Sequence, residues 1–154
     1  MNDQSPGKAV HILMVEDNPG DVRLALEALK ESKIRNTTDV LEDGAEVMPY
    51  LRREGKYANF LRPDLILLDL NLPKKNGQEI LTEIKTDSEI NSIPVVILTT
   101  SEAPEDVMKA YKKHANCYIT KPVDLDQFLT VVKAIDNFWL TIVKLPTNPG
   151  EKKS

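Results

Sequence analysis

Leu65-Ile66-Leu67-Leu68-Asp69-Leu70-Asn71-Leu72-Pro73 is the stretch that decides the fold. Its four leading apolar residues fit a strand buried on both faces, as strands of parallel sheets are. Asp69 follows that run directly, ahead of Asn71-Leu72-Pro73 and Gly77, on a loop of stiff geometry. Working outward, the same arrangement recurs. Val10-His11-Ile12-Leu13-Met14-Val15 leads into Glu16-Asp17, and Cys117-Tyr118-Ile119-Thr120 leads into Lys121-Pro122. In an open parallel sheet, ligands bind outside the carboxyl ends of the strands, at the switch point in strand order. Three carboxylates and one ammonium at that edge make a site for a hard cation and an anion, which suits phosphoryl chemistry.

Between these runs lie amphipathic segments. Strands are expected at Val10–Val15, Thr38–Leu41, Leu65–Leu68, Val95–Leu98 and Cys117–Thr120. The first helix is expected from Pro19 to about Lys30, with Asn18 as cap and Pro19 at the first helical position. The second spans Gly44 to Arg53, with Pro49 shortening or kinking it. The third follows Asn76-Gly77 to about Thr86, the fourth runs from Ala103-Pro104 to about Lys113, and the fifth from Asp124 to about Leu145, where Pro146 stops it. Five strands alternating with five helices make a doubly wound α/β domain with a parallel sheet. Residues 1–9 read as a flexible lead-in, 10–145 as the folded domain and 146–154 as a disordered tail. The segment Glu54–Pro63 is longer than a helix-to-strand loop needs.

The chain has 154 residues, enough for one domain around a single core. Its net charge of −4 argues against nucleic-acid backbone as a partner, which needs clustered Lys and Arg. A single cysteine, Cys117, excludes an internal disulfide and a cysteine-based metal site. No stretch has membrane-spanning length and no apolar signal core opens the chain, so a cytoplasmic protein is expected.

Each site residue has a plainer reading beside the functional one. Asp69 is either a nucleophile that forms an aspartyl-phosphate or a loop carboxylate capping the next helix. Glu16-Asp17 is either part of a cation site or a helix-capping pair. What favours the site is convergence, since three acids in close contact repel one another unless a cation joins them. Mg²⁺ suits such a cluster, taking few carboxylates and keeping several waters. Lys121 either pairs with Asp69 or is a strand-end surface lysine. Thr99, Thr100 and Ser101 either donate to phosphoryl oxygens or cap a helix. Tyr118 alone reads as a half-buried strand aromatic. His11 and His114 have no metal or triad partners in the pattern and are taken as structural or exposed.

Val15-Glu16-Asp17, Leu68-Asp69-Leu70-Asn71-Leu72-Pro73 with Gly77, Val96-Ile97-Leu98-Thr99-Thr100-Ser101 and Tyr118-Ile119-Thr120-Lys121-Pro122 occur in order at successive strand ends. Together they resemble the response-regulator receiver domain, the phosphoacceptor half of two-component signalling, from about Val10 to Leu140. The resemblance implies a flavodoxin-like (CheY-like) fold with strand order 2-1-3-4-5. It implies that Asp69 accepts a phosphoryl group from a histidine kinase. Asp17, Asp69 and the backbone carbonyl of Asn71 would be direct Mg²⁺ ligands, with Glu16 acting through bound water. Lys121 would pair with Asp69 and then with the phosphoryl group, Thr99 would turn to it, and Tyr118 would follow inward. The first acidic pair is Glu-Asp where many relatives have Asp-Asp.

A narrower resemblance is to the small stand-alone regulators paired with phytochrome-type histidine kinases. It is carried by Tyr50-Leu51-Arg52-Arg53, the Tyr57–Pro63 insertion, Asn71–Gly77, Leu98-Thr99-Thr100-Ser101 and Phe138-Trp139-Leu140. Residues 146–154 are too few for a DNA-binding module, so output by docking or phosphorelay is expected. A dehalogenase-type phosphohydrolase would want a second Asp where Asn71 stands. A flavin or nucleotide binder would want a phosphate-cradling loop where Glu16-Asp17-Asn18-Pro19 stands. Finally, Phe128, Val131, Ile135, Phe138, Ile142 and Leu145 form one apolar stripe on the fifth helix, and Leu125, Leu129, Val132, Trp139 and Val143 an adjacent one, interrupted by Asp136. Two stripes exceed what packing on a sheet needs. A homodimer is therefore expected through this helix, using Phe128, Val131, Ile135, Phe138, Trp139 and Ile142.

Overall fold

A computed structural model describes residues 9–70, 72, 75–99, 117–120 and 125–138, with backbone alone at 99, 117–120, 127, 131, 134, 135 and 138. In chain order the elements are β1 (Val10–Val15), α1 (Pro19–Leu29), β2 (Asn36–Leu41), α2 (Val47–Leu51), β3 (Leu65–Asp69), α3 (Gly77–Thr86), β4 (Val95–Thr99), β5 (Cys117–Thr120) and a last helix, Leu125–Phe138. All strand pairs are parallel, in the order β2-β1-β3-β4-β5. The fold is α/β with a parallel sheet. The expected fourth helix near 103–113 lies outside the described residues.

The side-chain alternation of the strands separates two cores. Leu13 and Val15, Ile66 and Leu68, and Val95 and Ile97 face α2 and α3, where Val47, Met48, Ile80, Leu81 and Ile84 meet them. Ile12 and Met14, Leu65 and Leu67, and Val96 and Leu98 face the other way, against Ala25, Ala28 and Leu29 of α1 and Phe128 and Val132 of the last helix. Strands apolar on both faces need helices on both faces, and this is why the runs lack a polar alternate. No helix among the described residues is long and apolar enough to cross a membrane.

Three boundaries differ from expectation for visible reasons. β2 starts at Asn36 rather than Thr38, because pairing with β1 begins at Val10↔Asn36. Its polar start is held by hydrogen bonds, with Asn36 Nδ2 donating to the carbonyls of Leu29 and Ile34. The expected helix Gly44–Arg53 is a 3-10 turn, Gly44–Glu46, followed by the five residues of α2. Pro49 sits in the first turn of α2, where a missing N–H leaves no helical bond unmade. Arg53, with φ of 56°, ends the run in a left-handed conformation.

The segment 54–63 has a packing role. Its 3-10 turn Gly55–Tyr57 carries Tyr57 into the core beside Tyr50. Tyr50, Tyr57 and Phe60 meet edge to face, with centroids 5.2–5.5 Å apart. The Tyr57 hydroxyl donates to Glu46 Oε1 at 2.6 Å. His11 is structural. Its Nδ1 lies 2.8 Å from Thr37 Oγ1 and its Nε2 2.9 Å from the Tyr50 hydroxyl, which itself donates to Asp39 Oδ2 at 2.6 Å.

The last helix corrects one interface residue. Phe128 is only 2% exposed and belongs to the core of its own chain. Phe128, Val132 and Asp136 recur at intervals of four and are all buried, so the inward face cuts across the two stripes instead of following the first. Asp136 is not an interruption of an apolar surface. It accepts from Ser32 Oγ at 2.5 Å and from the Lys33 N–H at 2.9 Å, tying this helix to the loop after α1. The side chains of Val131, Ile135 and Phe138, and all of Trp139 and Ile142, lie outside the described residues.

Candidate functional site

Strand register brings the acids together. Val15 of β1 pairs with Leu68 of β3, so Glu16 and Asp69 reach the same edge of the sheet on adjacent strands. The Glu16 N–H donates to the Leu41 carbonyl at 2.9 Å, extending the β1–β2 alignment by one residue. The Glu16 carboxylate turns inward, 1% exposed, and accepts from the Asn18 N–H at 3.2 Å. Asn18 itself caps α1, its Oδ1 accepting from the Asp21 N–H at 3.1 Å, with Pro19 as the first helical residue. Capping of α1 by a side chain is therefore the work of Asn18 and not of Asp17.

Asp69 is the last residue of β3, paired with Leu98 of β4 and 4% exposed. Glu16, Asp17 and Asp69 each offer a carboxylate oxygen, and these oxygens all lie within 4.8 Å of one another. Glu16 and Asp69 are buried and Asp17 is exposed. A Mg²⁺ ion about 2.1 Å from each ligand sets ligand oxygens roughly 3–4 Å apart, so a group of this size can close on one hard cation or reach it through a water. The N-terminus of α1 lies beside the group and contributes partial positive charge. The donor set is all oxygen, as a hard divalent ion requires.

The loop after Asp69 is pinned at its far end. The Gly77 N–H donates to the Leu70 carbonyl at 3.0 Å. A Cβ on Gly77 would stand 2.6 Å from the Asp69 carbonyl oxygen and 2.5 Å from Leu70 Cα, which only glycine permits. Asn76 and Glu79 form a reciprocal capping box at the start of α3.

The other expected site residues fall as follows. Thr99 is the last residue of β4 and pairs with Thr120 of β5, and Tyr118 pairs with Ile97, so both backbones are placed on the strands expected of them. Their side chains, and Asn71 and Lys121 entirely, lie outside the described residues. The sequence reading missed Gly44 and the closeness of Gly77 to Asp69. An isolated glycine gives no signal of what its Cα touches.

Comparison with known proteins agrees with this geometry. The model of the response regulator receiver domain matches residues 12–133. The chain is 48% identical over 146 residues to response regulator Rcp1 of Synechocystis sp., covering 95% of this chain and 99% of that protein. The phosphorylated cyanobacterial phytochrome response regulator RcpA superposes with a TM-score of 0.80 at 51% identity, over 87% of this chain and 96% of that one. The Mn²⁺-bound form of Rcp1 does so with a TM-score of 0.78 at 47% identity, over 86% and 96%. These relatives are signalling proteins and not conventional enzymes, and they lend nothing to a dehalogenase-type phosphohydrolase. With the receiver model spanning most of the chain and the acidic cluster at the expected sheet edge, the chain belongs to the response regulator receiver family.

Proposed function

We propose that this response regulator is a phosphoacceptor switch in which Asp69 is the nucleophile and the donor is a histidine kinase of the phytochrome type. The observation that carries the reading is the convergence of the Glu16, Asp17 and Asp69 carboxylates within 4.8 Å at the carboxyl edge of the sheet. An Asp69 oxygen attacks the phosphorus of a phosphohistidine, the P–N bond breaks, the imidazole leaves, and an acyl phosphate remains on Asp69. Asp17, Asp69 and the Asn71 carbonyl would hold the ion directly, and Glu16 would hold it through water. When bound, Mg²⁺ offsets the repulsion between the attacking carboxylate and the phosphoryl oxygens. Lys121 neutralises charge on the transferred group, Thr99 hydrogen-bonds one of its oxygens, and Tyr118 follows Thr99 inward. Phosphorylation and its loss are self-catalysed on this reading.

The phytochrome assignment is supported by the likeness to RcpA and to Rcp1 over most of both chains. The receiver domain spans 10–145, with 1–9 as lead-in, 146–154 as tail, and a fourth helix near 103–113 bringing the doubly wound fold to five strands and five helices. The protein acts in the cytoplasm through protein partners. It forms a homodimer through the last helix, with Val131, Ile135, Phe138, Trp139 and Ile142 at the contact.

Intact-mass spectrometry with a small phosphodonor tests the chemistry. One phosphoryl adduct is expected with Mg²⁺ and none with a chelator. Equal labelling of Asp69→Asn with the fold intact would overturn the assignment. Transfer from phosphorylated kinases of the phytochrome class and other classes, compared by rate, tests the donor.

A further inference from the structure

The acidic site is split between two segments, and the carboxylate of each must keep its place relative to the other. Glu16 and Asp17 follow β1, whereas Asp69 ends β3 and opens the loop to α3. Gly77 closes that loop on itself, through its hydrogen bond to Leu70 and its approach to Asp69. Pairing of Val15 with Leu68 sets Asp69 beside Glu16, but neither that pairing nor the closure at Gly77 fixes the far side of the loop.

Gly44 makes a second connection, from the side of β2. It lies three residues beyond Leu41, the end of β2, and Leu41 is joined to β1 by strand pairing and by the Glu16 N–H. Asp43 holds the turn, its Oδ1 accepting from the Ala45 N–H at 2.9 Å. From that turn Gly44 packs on the backbone of the Asp69 loop. A Cβ there would stand 2.4 Å from the Lys75 carbonyl oxygen and 2.9 Å from Ile80 Cδ1. Such contacts essentially never fall below 3.0 Å, so any side chain at 44 opens the Lys75 contact by at least 0.6 Å. The φ of Gly44 is ordinary, so the requirement is for space and not for backbone freedom.

We propose that Gly44 is a positioning residue for the divalent-ion site, registering the loop after Asp69 against the frame that carries Glu16 and Asp17. It touches neither ion nor phosphoryl group, and acts only through the Lys75 backbone. The inference rests on the proposed ion site, and its test separates the two. Mn²⁺ binding to the full chain is measured by calorimetry, without any phosphodonor, for the parent, Gly44→Ala, Ile80→Val and the double variant. Residues that orient ligands typically cost 10–100-fold in affinity when changed, and a loss of about tenfold, the low end of that range, is expected for Gly44→Ala. Ile80→Val removes the Cδ1 contact but leaves the carbonyl contact, so it should not restore affinity in the double variant. Restoration would mean that overpacking against Ile80 is the cause and would overturn the proposal. So would parental affinity in a Gly44→Ala variant that is merely less heat-stable. Absence of binding in the parent would instead sink the ion site itself. Should Gly44→Ala fail to fold, hydrogen exchange on the parent decides. Saturating Mg²⁺ should slow exchange over residues 43–48 as well as 70–77, and unchanged exchange over 43–48 would overturn the proposal.

Discussion

Replacing Asp69 by Asn should stabilise the metal-free protein and destroy most of its stabilisation by Mg²⁺. The carboxylate oxygens of Glu16, Asp17 and Asp69 lie within 4.8 Å of one another. Two unit charges at that distance repel by roughly 3.5 kcal/mol at an effective dielectric of about 20. The pair with Asp17 is weakened by exposure, whereas Glu16 and Asp69 are both buried. Asp69 is not without other partners in the fold, and changing its charge alters those interactions too. A net gain of about 1–2 kcal/mol is therefore expected, which is roughly 2–8 °C in Tm for a chain of this length. With Mg²⁺ the order reverses. A ligand at about a hundred times its Kd adds about 2.7 kcal/mol to a protein that binds it only when folded, and the variant has lost one ligand and one charge. Calorimetric melting in chelator and in saturating Mg²⁺ reads both arms. If Asp69→Asn melts below the parent in chelator, and gains as much as the parent from Mg²⁺, the three carboxylates do not share a cation.

Phe128→Ala should cost about 3–5 kcal/mol by urea titration, the range for a large buried side chain. An unchanged midpoint with weakened self-association would return Phe128 to an interface role. Asp136→Ala leaves the Lys33 N–H without its acceptor and should cost about 1–3 kcal/mol, with faster amide exchange at Lys33. Parental exchange there would show that the tie is not formed in solution. Tyr57 is pushed up to about 12, first by burial and then by its hydrogen bond to Glu46. Its neutral form is thus favoured in the fold, so that stabilisation is complete below the ordinary phenol value of 10.0 and is lost as pH rises towards about 12. Unfolding free energy should fall less steeply across that window in Tyr57→Phe than in the parent, and equal slopes would refute the assignment.

The parts of the fold legible in the sequence were those fixed by local pattern. β1 and β5 fall on their expected bounds, and β3 and β4 each run one residue further. A strand covered on both faces must be apolar throughout, and nothing else in a short run looks like that. The edge strand was harder. Asn36 and Thr37 join β2 through hydrogen bonds to Leu29, Ile34 and His11, partners invisible to a test for apolar residues. The acids were legible because parallel strands deliver their carboxyl ends to one edge, so residues far apart in sequence share a site without any long-range contact being guessed. The last helix was misread for the opposite reason. Its apolar positions fill two stripes, and sequence periodicity alone does not say which positions of the two a neighbouring helix covers. The choice is made by α1, whose Ala25, Ala28 and Leu29 meet Phe128 and Val132, and by the loop that Asp136 caps.

The two ends of the sheet divide stability from chemistry. At the amino end, His11, Thr37, Asp39 and Tyr50 form a satisfied polar network, and Tyr57 and Phe60 pack on it from the 54–63 segment. Buried polar groups that all find partners rigidify a core, whereas a half-satisfied set weakens it. At the carboxyl end three carboxylates are gathered within reach of one cation. Such a cluster would relax if its loops could move apart. Gly77 and Gly44 oppose that movement by bringing backbone against backbone, with no side chain between that could change rotamer. The charge repulsion is thereby kept available for a cation to relieve, and that relief is what ties ion binding to the site's geometry.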